Sequence, residues 1–472
     1  MRIGTQSRKI ACLVLFMVAT AAASDQPKAP PYPLPDDRFK ADILLIVAHE
    51  DDETPIAAYL ARTIRDEHHR VAVIYITRGI NGGNNNNERG IVLGAVRETE
   101  SRQALASIGV KNVWVLGAAD LPAQNVLRSL EYVGHGATLE QIVRLVRLTR
   151  PAVILSWLPA YVAGENHADH QASGVIATEA FDLAGDPTAF AEQIYPGRNS
   201  DDIAQTEGLP AWQPQKIYYF SDAFDASGYF WRNPLQSSPF RRNFLEGRGP
   251  TYLSTDMSPS AHVSYARLAA EESSFYLGEE GEIAKKALET ANFASFKAPV
   301  RLTFGKSVVA GTTKGDVFEG VVSESVSFAK LPGFQAQVRQ GLSLEFSGPF
   351  QFYREFWKAH NLEHLAQLLP IPEVAVRFGD RLKVPLAIHN GAGSSEEVTL
   401  TVALPEGWSD KTKYSVYPVR AHEFYPVQAT LLASGAGRPG WQEVTWRAKA
   451  GGREVGSVTL RVCVSDEGSE PQ

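Results

Sequence analysis

Four short apolar runs, each followed by a helix-like stretch, constrain this chain more than any other feature. Ile43–Val47 and residues 71–76, 113–116 and 152–155 lack polar alternation and end in turn residues, the pattern of strands buried on both faces. Helical periodicity lies between them, near 54–67, 95–108 and 138–149. Strand and helix alternating in this order predict βαβ units: an α/β, Rossmann-like fold with a mainly parallel sheet and helices on both faces. Ligands in such folds sit outside the carboxyl ends of the strands, so the loops there are where chemistry is expected.

Two of those loops are dense in metal-ligand residue types. After Val47 the chain reads Ala48-His49-Glu50-Asp51-Asp52-Glu53, and after Leu155 it reaches Glu165-Asn166-His167-Ala168-Asp169-His170. His49 and Asp52 are three residues apart, as are His167 and His170, so one helical turn puts each pair on a common side. Two histidines and a carboxylate, with one position left for water, make a catalytic zinc set. The blander alternative is that Asp51, Asp52 and Glu53 favour the positive end of the next helix and that His167 to His170 form a solvated loop. Two such clusters, each at the end of a buried strand, favour the metal site.

With these segments the chain resembles the PIG-L or LmbE-like zinc-dependent N-deacetylases, whose motifs are Ala-His-Pro-Asp-Asp-Glu and His-Pro-Asp-His. The counterparts are residues 48–53 and 167–170, with weaker matches at Thr77-Arg78-Gly79, Arg97-Glu98 and Leu116 to Asp120. The resemblance implies that His49, Asp52 and His170 hold Zn2+ and that Asp51 is the general base. It also implies that His167 stabilises the oxyanion or protonates the leaving amine, and that Asp169 orients an imidazole from behind. Arg97 and Asp120 correspond to positions that help bind the sugar. Arg97 pairing with Glu100 or Ser101 on a helix surface, and Asp120 simply forming a turn, are the alternatives. Glu50 and Ala168 stand where the family has proline, which removes a fixed φ at each place. No ligand type is lost.

The loop of residues 79–87 combines three glycines with five asparagines at the end of the second strand, which suits a mobile pocket rim that hydrogen-bonds sugar hydroxyls. No phosphate-binding glycine motif is present. Aromatic residues across 195–260, among them Trp212, Tyr218, Tyr219, Phe220, Phe230 and Trp231, fit core packing better than sugar stacking. Helical pattern returns over 259–294.

The expected organisation is a signal peptide over 1–23, the deacetylase-like domain over 38–298, a strand-rich connecting region with a helix over 299–372, and an Ig-like β-sandwich over 373–472. Period-two alternation at Leu382, Val384, Leu386 and Ile388, and again at Val398, Leu400, Val402 and Leu404, supports the last of these. Arg2, Arg8 and Lys9, an apolar run from Ile10 to Thr20 and Ala21-Ala22-Ala23 read as an export signal, too short for the ~20 residues of a membrane span. Export to the periplasm or outside the cell follows. Cys12 and Cys463 are the sole cysteines, so the exported chain forms no internal disulfide. A net charge of -7 offers no general attraction for nucleic acid or anionic lipid.

The function expected from these observations is hydrolysis of an N-acyl, chiefly N-acetyl, group on an amino sugar or glycoconjugate, the substrate being a small molecule or a glycan. Cleavage of another amide or ester by the same metal-activated water, or glycan binding without turnover, are the alternatives.

Overall fold

All four apolar runs become strands because alternate residues of each find an apolar layer on opposite sides. Leu44 and Ile46 enter one core with apolar residues of 139–146 and 172–184, while Ile43, Leu45 and Val47 enter the other with those of 56–61 and 265–269. The computed structural model describes residues 35–121, 125–160, 167–194, 208–221, 247–323, 325–328, 340–366, 372–433 and 439–465. The expected signal peptide lies outside these, as do Glu165, Asn166, Phe230 and Trp231. From Pro35 onward the described residues belong to one compact unit.

The elements of the first part, in chain order, are β1 (Ile43–Val47), α1 (Ala57–Arg65), β2 (Val71–Thr77), α2 (Gly90–Ile108), β3 (Asn112–Ala118), α3 (Val126–Tyr132), α4 (His135–Thr149), β4 (Val153–Trp157), α5 (Ala168–Leu183) and β5 (Lys216–Phe220). They continue as β6 (Thr251–Tyr252), α6 (Tyr265–Ser273), α7 (Gly281–Thr290), β7 (Val300–Arg301) and β8 (Thr303–Ser307). Among the described residues, six strands form one sheet in the order β3-β2-β1-β4-β5-β8. The first five run parallel and β8 closes the edge antiparallel to β5. Strand order reverses between β1 and β4, which leaves a crevice at their carboxyl ends.

β5 was not expected as a strand. Its Tyr218, Tyr219 and Phe220 are buried core residues, as their aromatic character indicated, but no second apolar stretch flanks them to mark the period. The segment after His167 is likewise a helix, α5, and nearly all of it is buried. Helix α5 lies so close to β4 that a Cβ on Gly174 would stand 2.2 Å from the Trp157 carbonyl oxygen. Across the sheet, Asp66 at the end of α1 accepts hydrogen bonds from Ser258 Oγ at 2.8 Å, Ser260 N at 3.0 Å and Tyr265 OH at 2.7 Å, which ties α6 to α1.

Beyond the first sheet come β9 (Leu342–Phe346), α8 (Pro349–Ala359), α9 (Glu363–Ala366) and β10 (Glu373–Arg377). Then follow β11 (Arg381–Asn390), β12 (Glu396–Ala403), β13 (Ser409–Asp410), β14 (Val416–Val419), β15 (Phe424–Leu432), β16 (Gly440–Ala450) and β17 (Arg453–Ser465). They make two sheets, β10-β17-β16-β12-β14 and β13-β15-β11-β9, which share one core. Val384, Leu386 and Ile388 face that core, in agreement with their alternation. Pairing is antiparallel except between β10 and β17, which run parallel. Cys463 is buried on β17.

Two outcomes follow. Gly174→Ala pushes α5 off β4, and overpacking of this kind costs ~1–3 kcal/mol or more, read as a lower urea midpoint. Hydrogen bonding holds Asp66 at a pKa of about 2, against 3.8 for the free side chain, although burial works against ionisation. A folded-state pKa below the unfolded one stabilises above about pH 4 and loses that effect as pH falls towards 2. Asp66→Asn therefore lowers the thermal midpoint at pH 6, and the gap to the parent closes near pH 2.

Candidate metal centre

The crevice at the ends of β1 and β4 is where the two acidic and histidine-rich segments meet. Residues 48–53 leave β1 in a tight turn that runs into a short 3-10 helix at Thr54–Ile56. Residues 167–170 open α5, with His167 as its N-cap and its Nδ1 accepting from Asp169 N at 3.3 Å. Ala168 is the first residue of that helix, a position that tolerates proline and equally tolerates alanine, so its substitution leaves the helix intact.

His49, His167 and His170 each bring a ring nitrogen to within 4.8 Å of the others. Asp52 enters the same group, its Oδ1 standing 3.1 Å from His170 Nε2 and 3.7 Å from His49 Nδ1. The other oxygen, Oδ2, accepts three N–H groups: Ala48 N at 2.8 Å, His49 N at 3.0 Å and Trp157 Nε1 at 2.7 Å. Burial opposes ionisation of Asp52, but the His170 and His49 imidazoles outweigh it and hold the carboxyl well below the usual carboxylate range. Three imidazoles, with an ionised carboxylate beside two of them, are a donor set that can hold a metal ion.

Other residues set the rings. Asp169 Oδ2 faces His49 Nε2 at 3.4 Å and accepts Leu121 N at 2.9 Å, the arrangement by which a carboxylate orients a metal-binding imidazole from behind. Burial disfavours the His49 imidazolium, yet hydrogen bonds with Asp169 and Asp52 raise its pKa well above the ordinary value. His170 stacks on Trp157 with ring centroids 4.1 Å apart and planes 3° from parallel. Burial, then the neighbouring His170 and His49, push the His167 imidazole well below its usual range, which leaves it neutral.

Asp51 has a backbone φ of 137°, a conformation a residue with a side chain adopts only under strain, and such strain collects at functional sites. Burial pushes its carboxyl well above the ordinary range; the Arg97 guanidinium opposes this, and the Glu279 and Asp52 carboxylates add to it. Glu50 is fully buried, neither carboxyl oxygen has a hydrogen-bond partner among the described residues, and burial pushes its pKa up to about 7. In its protonated form it adds no charge beside His49.

Arg97 is buried on α2 and donates to Gly83 O at 3.2 Å and to Glu279, so the expected alternatives of Glu100 or Ser101 as its partner do not hold. Asp120 sits under the glycine-asparagine loop. Its Oδ2 accepts Asn81 N at 2.9 Å and its carbonyl accepts Asn81 Nδ2 at 2.8 Å. Asn85 reaches across to the carbonyls of Gly278 and Glu279 at 2.8 and 2.9 Å. Asn81 and Asn85 of that loop thus bond to the protein itself.

Sequence reasoning missed Trp157 and Glu279. Trp157 directly follows the buried run of β4, and an indole N–H at the carboxyl end of a central strand was the available signal. Glu279 lies far along the chain in a segment without a motif.

Residues 44–181 match the family model PIG-L, GlcNAc-PI de-N-acetylase. A 1D-myo-inositol 2-acetamido-2-deoxy-alpha-D-glucopyranoside deacetylase of Frankia casuarinae is 29% identical over 214 residues, covering 41% of this chain and 64% of that protein. A probable N-acetyl-alpha-D-glucosaminyl L-malate deacetylase of Bacillus anthracis is 27% identical over 146 residues, covering 29% and 58%. The chain thus spans less than two thirds of either curated relative. Among solved structures, the N,N'-diacetylchitobiose deacetylase of Pyrococcus horikoshii aligns with a TM-score of 0.30 at 19% identity, covering 40% of this chain and 63% of that one.

Trp157→Phe keeps an aromatic face for His170 and removes the N–H to Asp52. Loss of such a supporting hydrogen bond weakens metal binding by ~10-fold or more. Competition with a chromogenic chelator measures it, and an unchanged affinity would remove Trp157 from the site.

Proposed function

We propose that this chain, whose residues 44–181 form a PIG-L domain, is an exported zinc-dependent hydrolase that removes an N-acyl group, chiefly acetyl, from an amino sugar or glycoconjugate. One observation carries the reading: the gathering of His49, His170 and the ionised Asp52 at the crevice where strand order reverses. The family match and two relatives named as deacetylases of acetylated glucosamine compounds support it. No helix among the described residues is long and apolar enough to cross a membrane.

In this reading His49, Asp52 and His170 hold the zinc, which supplies Lewis-acid activation and lowers the pKa of a water towards ~7. Asp51 takes a proton. As general base it accepts that proton from the attacking water, the Arg97 guanidinium opposing the burial that disfavours its carboxylate form. Asp169 keeps the His49 ring oriented. His167 serves the substrate and leaves the metal to the other three. Its Nδ1 accepts from Asp169 N, so in the neutral ring Nε2 carries the proton and can donate to the acyl oxygen. Arg97 and Asp120 contact the sugar beside the loop they hold. The two C-terminal sheets around one core are read as an Ig-like sandwich.

The zinc-loaded protein is expected to release acetate from N-acetylglucosamine compounds. Asp51→Asn lowers kcat by ~10²- to 10⁴-fold, the usual contribution of a general base, with one zinc per chain retained. Acetate release assayed beside metal content checks both. Equal rates in parent and variant would remove Asp51 from the reaction, and zinc binding without amide turnover by the parent would remove the substrate assignment.

A further inference from the structure

Helix α8 belongs by sequence to the stretch between the two folded regions, yet it packs on the back of the metal centre. Tyr353 is 2% exposed, and its hydroxyl donates to Gln171 Oε1 at 2.6 Å. Gln171 directly follows His170 and is itself fully buried. One turn further along α8, Trp357 Nε1 donates to the carbonyl oxygen of Pro159 at 3.0 Å. Pro159 lies two residues after Trp157, the indole that binds Asp52 and carries the His170 ring. At the far end of α8, His360 Nδ1 meets Asp182 Oδ2 at 2.6 Å, and Lys306 Nζ bonds both the Asp182 carboxylate and the His360 carbonyl. Asp182 lies eleven residues after Gln171 on α5, roughly 16 Å away at ~1.5 Å rise per residue.

We infer that α8 is a positioning element of the metal centre, and that Tyr353 sets where α5 presents His170. This rests on the metal-centre reading. The helix touches each half of the centre one or two residues from a group that shapes it. Gln171 fixes the chain beside His170, and Pro159 fixes the chain beside Trp157. A rigid α5 carries a displacement at Gln171 directly to His170, while β4 holds the Trp157 side through its parallel neighbours. The Asp182, Lys306 and His360 cluster anchors α8 without touching the centre. The long chain beyond β8 therefore contributes to the reaction through this helix, and the C-terminal sheets are joined to it through β9.

Tyr353→Phe in the full chain removes one hydroxyl and keeps the ring in place. The expected result is ~10-fold weaker zinc binding by chelator competition, a shifted visible absorption of the cobalt-loaded protein, and a lower kcat at unchanged KM, with Tm within a few degrees of the parent. His360→Gln is the control: it lowers Tm and leaves zinc affinity and the cobalt spectrum as in the parent. Parent-like zinc affinity and cobalt spectrum in Tyr353→Phe would overturn the inference, as would equal weakening by His360→Gln. Zinc affinity and the cobalt spectrum need no substrate, so a parent that binds zinc but hydrolyses nothing would sink the hydrolase reading and leave this one standing.

Discussion

Asp52 is the residue on which the site depends. A buried carboxylate is costly unless its lone pairs are met. Here Oδ2 receives three N–H groups, two from the turn after β1 and one from the indole at the end of β4. Those bonds fix the carboxylate rigidly, so Oδ1 is left facing His170 and His49. The same bonds join the two strands at the point where the sheet changes direction. The carboxylate that shapes the centre thus also bridges the ends of two strands already paired through their backbones.

Around that carboxylate the charges are graded. Asp52 is held ionised, Asp51 is pushed towards the protonated form, and Glu50 is buried and uncharged until about pH 7. Three consecutive acidic residues thus have three environments, set by what each oxygen touches. Pairs of titratable groups pushed apart in this way divide the work of holding a cation and moving a proton. The strained φ of Asp51 belongs to the same turn, which directs Asp51 and Asp52 to different neighbours.

Much of this was legible in the chain. The four apolar runs gave the parallel sheet, and the two motifs at strand ends gave the candidate residues, because period and strand-end position are local signals. β5 escaped notice since its KIYYF run lies in a stretch of sequence rich in Pro, Gly, Ser and aromatic residues, where no apolar period stands out. Trp157 was visible as a residue but not as a donor to Asp52, a pairing that depends on the neighbouring register of β1 and β4. Arg97 drew attention as a substrate contact, and its bond to Glu279 required a segment far away in sequence to fold back over α2. The contact of Tyr353 with Gln171 is of the same kind. Period-two patterning marked β11 and β12 clearly, whereas the parallel pairing of β10 with β17 is a matter of topology that patterning does not encode.

The most direct test of the account is the position of the metal itself, located by anomalous scattering from crystals of the zinc-loaded chain. The account predicts one zinc per chain at ~2.0–2.2 Å from a nitrogen of His49, a nitrogen of His170 and Asp52 Oδ1, with His167 beyond bonding distance. Zinc bound elsewhere, or no zinc between these residues at saturating concentration, would contradict it.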